Sequence, residues 1–473
     1  MPANGLFLGC WCGVLRVAPE RQGSLLEALL PAGVTLLPAD LEAIDGLLAD
    51  GGVYASVWKL WRDRDVANGT FALVMGRRTI AIETFVRMMV LKTRNGWGYE
   101  RLVREVSDSI HLRRFCEIGL GERVPDESTL RKHVHRLGAA TIEAITLEAI
   151  ARSARQTGFR ARAARVDSTV VEADVKFPTD AGLAADGVLL LAREAKRLRG
   201  LAGPGAPRVC DRARGAKGRL RRLGRTLKRR SQEAKTEIEK ITAECGDLLA
   251  KSIGEARRLA AHLQAGSEAQ QAGAESLAVL IGRCERVGEQ IRKRLAGERI
   301  SDRLVSLHDP DARPICKGKL SKKTEFGYVQ QLCEVTDKTT GARGYLLPPT
   351  TAPGNPGENQ LLPDTLEHAD ALRLKLKEIA LDGGFSGGPT DDALADSQQQ
   401  PKTVYIAGVR EPDSPRTRRR LYCYRAGAEG RVSHLKSRYG LRRSRLRGHD
   451  GQRAWCIWSA LAYNLDTHAH RLC

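Results

Sequence analysis

Tyr422, Arg425 and Lys436 stand at offsets of −7, −4 and +7 from Glu429, inside the basic stretch Leu421 to Gly448. At 3.6 residues per turn those four directions fall within about 60° of one another, so a helix carries them on one face. An acid set among an aromatic, an arginine and a lysine suits a metal ligand within a phosphate-binding surface. The plainer alternative is a solvated helix laced with its own ion pairs. Gly427 and Gly430 weigh against a stable helix, at roughly 1 kcal/mol each relative to Ala. The choice falls to acids elsewhere in the chain.

Two aspartates qualify. Asp167 interrupts the β-branched run Arg165 to Ala173, which reads as a strand. A carboxylate at an inward strand position is costly unless it is charge-paired or bound to a cation; an edge strand facing water is the bland alternative. Asp382 follows the apolar run EIAL and precedes Gly383 and Gly384. That is the carboxyl end of a buried strand, where open α/β sheets place chemistry, and the glycines permit close approach by a backbone or phosphate. Three acids on separate elements form a set that phosphodiester chemistry uses. Carboxylate oxygens suit hard Mg²⁺ or Mn²⁺, and two such ions would activate an attacking oxygen and stabilise the leaving one. Arg425 and Lys436 would then meet phosphate, and Tyr422 would stack on a base or hydrogen-bond to the backbone.

The elements that must position these residues follow from pattern and charge. The 473 residues carry 77 Lys+Arg against 56 Asp+Glu, a net charge of +21 that points to a polyanionic partner, nucleic acid before membrane. The 11 cysteines are scattered, with Cys10 and Cys12 the close pair, so neither a zinc ribbon nor a disulfide framework is indicated. No apolar stretch reaches membrane-spanning length, and the first residues lack a secretory pattern. A cytoplasmic protein without a membrane partner is expected. Helices are expected over Ala39 to Arg64, Thr79 to Lys92 (with Thr79 as a candidate N-cap), Gly96 to Asp108, Ser109 to Leu120 and Val124 to Gly138. In the last of these Leu130, Val134 and Leu137 form an apolar stripe. Arg131 and Lys132 lie off that stripe, as in a helix-turn-helix-like DNA-binding unit, and His133 and His135 read as polar surface residues. Between about 187 and 299 the apolar spacing alternates by three and four. This predicts a long helical hairpin, coiled-coil-like, turning within Gln264 to Ser276. Its leading segment Asp211 to Arg230 holds ten Lys/Arg against one Asp, a density that favours DNA backbone contact. A hairpin with Gly341 in its connection, a helix begun near Pro363 and a second buried strand at Val404 to Val409 complete the pattern.

The chain resembles a bacterial insertion-sequence DDE transposase carrying the Tyr-Arg-Glu-Lys signature, in the insertion-sequence-five-like or ISNCY branch. VDSTVVEADVKFPTD resembles the first-aspartate strand, LDGGFSGG the second-aspartate segment, and YCYRAGAEGRVSHLK matches the signature at every offset. GLRRSRLRGHDGQRAWCIWSALAYNL, SLHDPDARPICKGK and the helices around WGYERLVREVSDSIHLRRFCEIGL also resemble the family. The resemblance implies an α/β fold: an RNase H-like mixed-sheet catalytic core, a helical N-terminal DNA-binding region, and a long helical insertion between the first and second core strands. The corresponding boundaries are an unassigned extension at 1–40, the DNA-binding region at 41–160, the core at 161–186 and 300–473, and the basic insertion at 187–299. Better-known relatives insert a β-rich domain before the glutamate, so the helical block here is a departure.

The resemblance also implies roles. Asp167, Asp382 and Glu429 would be catalytic and hold Mg²⁺ or Mn²⁺, two ions. Tyr422, Arg425, Lys436, Arg131, Lys132 and the tail residues Arg442, Arg443 and Arg445 would bind double-stranded DNA, both transposon ends and target. A homodimer on nucleoid DNA is implied. The alternatives are a metal-dependent nuclease without strand transfer and a catalytically inactive DNA-binding descendant.

Overall fold

The structure is a computed structural model that describes residues 30–57, 59–60, 80–316, 324–341 and 343–472. Thr79, the pair Cys10 and Cys12, and most of the 1–40 extension lie outside the described residues. The chain divides into two compact units, one formed by the residues up to Glu172 together with Tyr328 onward, the other by Ala173–Gly327.

In the first unit the N-terminal part is helical: α1 Ala39–Leu48, α2 Ile82–Arg94, α3 Tyr99–Asp108, α4 Ile110–Phe115, α5 Glu127–Leu137 and α6 Ala139–Thr157. Asp126 caps α5 by accepting from the Thr129 backbone N–H at 2.8 Å, and Gly138 ends it at φ 75°, a conformation that favours glycine. These helices share one apolar core with the last helix of the chain, α14, which spans Gly448–Leu472 and contributes Ile457, Trp458, Leu461 and Leu465. Charge fixes the same junction: Arg94 of α2 pairs with Asp40 of α1 and, at 2.6 Å, with Asp466 of α14.

One expectation fails here. His133 is 5% exposed and meets the Phe85 ring edge-on at 6.0 Å, so it belongs to the α2–α5 contact and not to the surface. It stands three residues after Leu130 and widens the buried stripe; burial pushes its pKa down, which keeps the ring neutral.

The sheet of this unit is mixed. In sequence order, β1 is Ala163–Glu172, β3 is Glu325–Thr336, β4 is Tyr345–Leu346, β5 is Thr350–Pro353, β6 is Glu378–Leu381 and β7 is Thr403–Ile406. Strands β3, β1, β6 and β7 lie side by side in that order; β1, β6 and β7 are parallel, while β4 and β5 run antiparallel to β3. One face, carrying Ala164, Val166, Ile379 and Leu381, packs on Ile150 of α6, on α11 (Leu362–Ala371) and on α12 (Gly388–Asp396). The other face, carrying Ala163, Ala380 and Tyr405, is covered by Leu421 and Tyr424 of α13, which spans Pro415–Arg438. Alternation along β1 thus sends Arg165 and Asp167 toward the α13 side. Helix α11 ends at Ala371, and Arg373 follows in a left-handed turn at φ 50°.

The second unit contains α7 Asp180–Ala202, α8 Ala213–Thr226, α9 Gln232–Gln264 and α10 Glu268–Leu295, and β2 Arg313–Ile315, which pairs with the first residues of β3. The α9–α10 hairpin is present, but α7 and α8 share its core. Its turn is also shorter than expected, because Ser267 and Gln270 form a capping box that starts α10 at once. Part of the basic run is committed internally: Arg212 pairs with Glu255, and Arg219 and Arg222 both pair with Glu244.

Arg87 shows what holds the N-terminal helices together. Its side chain is fully buried and pairs with Asp45 at 3.0 Å and Glu117 at 2.9 Å. Arg87→Met leaves both carboxylates without their cation. It is expected to destabilise the protein by roughly 3 kcal/mol, read as a lower thermal unfolding midpoint; a midpoint equal to wild type contradicts this role.

Candidate active site

Helix α13 forms through both of its glycines. Ser414 caps it, Pro415 opens it, and Leu421, Tyr424, Ala428 and Leu435 supply the buried stripe. Burial of that stripe, on the order of 1.5–3 kcal/mol for each large apolar side chain, outweighs the roughly 1 kcal/mol cost of each glycine.

Beneath the helix lies a buried ionic cluster. Glu334 of β3 is 2% exposed, and its carboxylate accepts from Arg165 Nε at 2.9 Å and Nη2 at 2.6 Å. Arg431 of α13 reaches the other oxygen at 2.9 Å, where the Gly344 backbone N–H also donates at 3.0 Å. Burial works to raise the Glu334 pKa, but the two guanidiniums overcome it and hold the carboxyl below its usual range. Arg165 also donates through Nη1 to the Tyr424 carbonyl at 3.0 Å and lies 5.1 Å over the Tyr424 ring. The strand that carries Asp167 and the helix that carries Glu429 are therefore fastened through one carboxylate.

The two glycines of α13 differ in what surrounds them. A Cβ at Gly427 would stand 2.0 Å from Arg165 Nη1, so this glycine makes room for the arginine. At Gly430 a Cβ would meet nothing within 4 Å.

The three acids sit above this cluster. Asp382 and Glu429 share one guanidinium: Arg425 Nη1 is 3.3 Å from Asp382 Oδ1, and Nη2 is 3.8 Å from Glu429 Oε1. Arg425 itself is largely buried, whereas the Asp382 and Glu429 side chains are 48% and 73% exposed. Asp167 and Asp382 each accept from the next backbone N–H at 2.8 Å. The β1–β6 register pairs Arg165 with Ala380. That is the last pair of the ladder, and Asp167 and Asp382 each follow it by two residues, Asp167 within β1 and Asp382 just past the end of β6. Among the described residues, no three His, Cys, Asp or Glu side chains are gathered closely enough to hold a metal ion. The donor chemistry nonetheless suits a hard cation, since all three candidates are carboxylates and Arg425 already bridges two of them.

Tyr422 is 55% exposed on the same helix face. Lys436 is half-buried two turns further on. The tail residues Arg442, Arg443 and Arg445 are exposed on the connection between α13 and α14, whose Arg443 bridges in parallel to Glu172 at the end of β1. Arg131 and Lys132 are exposed on α5. Sequence reasoning missed Glu334, Arg165 and Arg431. The available signal was a charged residue inside the apolar strand EFGYVQQLCEV and an arginine two residues before Asp167, both positions that demand a partner when buried.

Residues 302–465 match the family described as Transposase DDE domain, and residues 58–136 match the Transposase domain (DUF772). Together the two matches indicate an insertion-sequence transposase family, one whose DDE domains are generally RNase H-like and dependent on divalent metal ions. Asp382 and Glu429 fall within the DDE match; Asp167 precedes it. No curated protein and no solved structure matches the chain. Among the described residues no helix is long and apolar enough to cross a membrane.

The two glycines supply a paired test. Gly427→Ala pushes into an arginine pinned by Glu334 and is expected to destabilise by about 1–3 kcal/mol. Gly430→Ala enters open space and is expected to stabilise by about 0.5–1 kcal/mol. Urea midpoints read both, and equal shifts for the two variants contradict the packing described.

Proposed function

We propose that this protein is a DDE transposase of the Tyr-Arg-Glu-Lys type, acting in the cytoplasm on double-stranded DNA. It binds the terminal inverted repeats of its own element, cleaves at the ends and joins the freed 3′ ends to target DNA, working as a homodimer that serves both ends. The observation that carries this reading is the meeting of Asp382 and Glu429 on Arg425, with Asp167 on β1, the strand that pairs with β6 ahead of Asp382.

Asp167, Asp382 and Glu429 would hold Mg²⁺ or Mn²⁺, which when bound supplies activation of the attacking oxygen and stabilisation of the leaving one. The protein's own residues do the rest. The Glu334 cluster fixes the α13 face against β1, so the carboxylates need little reorganisation on binding. Arg425 offers a planar, permanently charged fork beside the acids, suited to a phosphodiester oxygen pair. Tyr422 presents a half-exposed ring to a base or sugar, and Lys436 adds a point charge further along the helix. Arg131 and Lys132 on α5 and Arg442, Arg443 and Arg445 on the tail would hold the duplex by its backbone, with the basic helical insertion as a further contact.

A catalytically inactive DNA-binding protein is the competing reading, favoured by one feature: Arg425 already neutralises two of the three acids. Activity separates the two. Asp167→Ala, Asp382→Ala and Glu429→Ala are each expected to reduce Mg²⁺-dependent cleavage of end-containing DNA to background while largely sparing DNA binding. Wild-type-like cutting by any one variant removes that residue from the triad. A wild-type protein that binds the ends but never cuts them supports the inactive reading.

A further inference from the structure

Helix α13 carries a second basic face. Counted at about 100° per residue, Arg416, Arg419, Arg420 and Cys423 point about 140° away from the mean direction of Tyr422, Arg425, Glu429 and Lys436. The buried stripe of Leu421, Tyr424, Ala428 and Leu435 lies toward the sheet between the two. The second face looks onto a cavity of about 560 Å³ between α13 and the connection that follows β3, residues 339–341. Arg165 of β1 lines the same cavity. Among the described residues of that lining four are arginines, drawn from two elements, and none is acidic. Arg418 is not part of it and pairs with Glu411 at 3.4 Å.

A basic run on a helix is ordinarily a solvated face whose side chains fan outward. Here the inner arginines are fixed into a wall. Arg420 forks onto Glu378, with Nη1 donating to Oε2 at 2.7 Å and Nη2 to Oε1 at 2.6 Å, and it also donates to the Thr339 hydroxyl. Arg165 is held by Glu334 and by the Tyr424 carbonyl. Glu334 is shared with Arg431, so one carboxylate stands against two guanidiniums. Arg416 and Arg419 are exposed at the mouth. A cleft walled by charge of one sign focuses the field and concentrates counter-ions.

We propose that this cavity binds a backbone phosphate of DNA, gripped by Arg416 and Arg419 with Arg165 and Arg420 as the fixed positive wall. It rests on the transposase reading for its DNA partner, but it adds a contact on the flank of α13 away from the acids, which that reading does not contain. An arginine fork suits paired phosphate oxygens, so two forks at one mouth suit one phosphate. A free nucleotide would also need a ring for its base. Tyr424, the aromatic residue of the described lining, is 4% exposed and lies under the Arg165 guanidinium at 5.1 Å, so it offers no free face.

The parts divide the work. Arg165 and Arg420, held by internal carboxylates, supply charge at fixed positions, while the exposed Arg416 and Arg419 supply hydrogen bonds. Thr340, exposed on the connection, adds a neutral hydroxyl donor. DNA engaged at Arg425 and Lys436 is then held on both flanks of one helix. Cys423, a free and exposed thiol on the same face, lines the cavity and reports its occupancy.

The test follows alkylation of Cys423 by N-ethylmaleimide in the full chain, read by peptide mapping, with and without a duplex of arbitrary sequence. Saturating duplex is expected to slow Cys423 alkylation severalfold, and the double variant Arg416→Ala/Arg419→Ala, also at saturation, is expected to lose that slowing. In equilibrium binding the same variant is expected to lower the salt slope by about one and to weaken binding roughly tenfold at low salt. A double variant with wild-type slope and affinity overturns the site. So does slowing by a nucleoside triphosphate and not by duplex, which assigns the cavity to a free nucleotide. The wild-type alkylation measurement stands even if the variant fails to fold. Wild-type protein that binds duplex and leaves Cys423 unprotected overturns this inference alone; wild-type protein that binds no duplex overturns the DNA reading and this inference with it.

Discussion

The carboxylate of Glu334 is the constraint on which the proposed catalytic face depends. It is buried on β3 between an arginine from β1 and an arginine from α13, with a backbone N–H completing one oxygen. A charge so placed is expensive unless every partner is in position, and removing either arginine would leave an uncompensated ion. That cost fixes geometry. Arg165 lies two residues before Asp167, and Arg431 lies two residues after Glu429, so the partners of Glu334 are also the local supports of the acids. Gly427 belongs to the same device, because only a residue without a Cβ lets Arg165 pass to the Tyr424 carbonyl.

Above this fixed layer, the acids are held more loosely and by a different cation. Arg425 spans Asp382 and Glu429 at 3.3 and 3.8 Å, distances of charge attraction more than of tight hydrogen bonding. Such a bridge keeps two exposed carboxylates near each other without closing the space between them. A guanidinium can exchange those carboxylates for phosphate oxygens, since its fork suits both. The buried layer supplies rigidity and the exposed layer supplies adjustability, a division that suits the proposed binding of both cations and DNA.

Much of this was legible in the sequence, and the remainder was illegible for identifiable reasons. The face of Tyr422, Arg425, Glu429 and Lys436 follows from helical spacing, and α13 runs through all four residues. Asp382 at a strand end followed from EIAL and the two glycines, and β6 stops at Leu381, one residue before it. Glu334 was hidden because local pattern cannot tell which strand residue finds two arginines 169 residues before and 97 residues after it (334 − 165 and 431 − 334). His133 was misread because its burial depends on Phe85 of another helix, and a histidine gives no strong hydropathy signal. Gly427 reads in the sequence only as a cost to the helix, since the side chain it accommodates comes from β1.

The central claim is that Asp167, Asp382 and Glu429 share one cation site on the α13 face. Metal-directed chain cleavage tests it most directly: Fe²⁺ is substituted for Mg²⁺, hydroxyl radicals are generated with ascorbate and peroxide, and the cut positions are mapped. The account predicts cuts beside Asp167, Asp382 and Glu429 that excess Mg²⁺ suppresses together. Cuts confined to other segments of a folded protein, or none at these three, would contradict it.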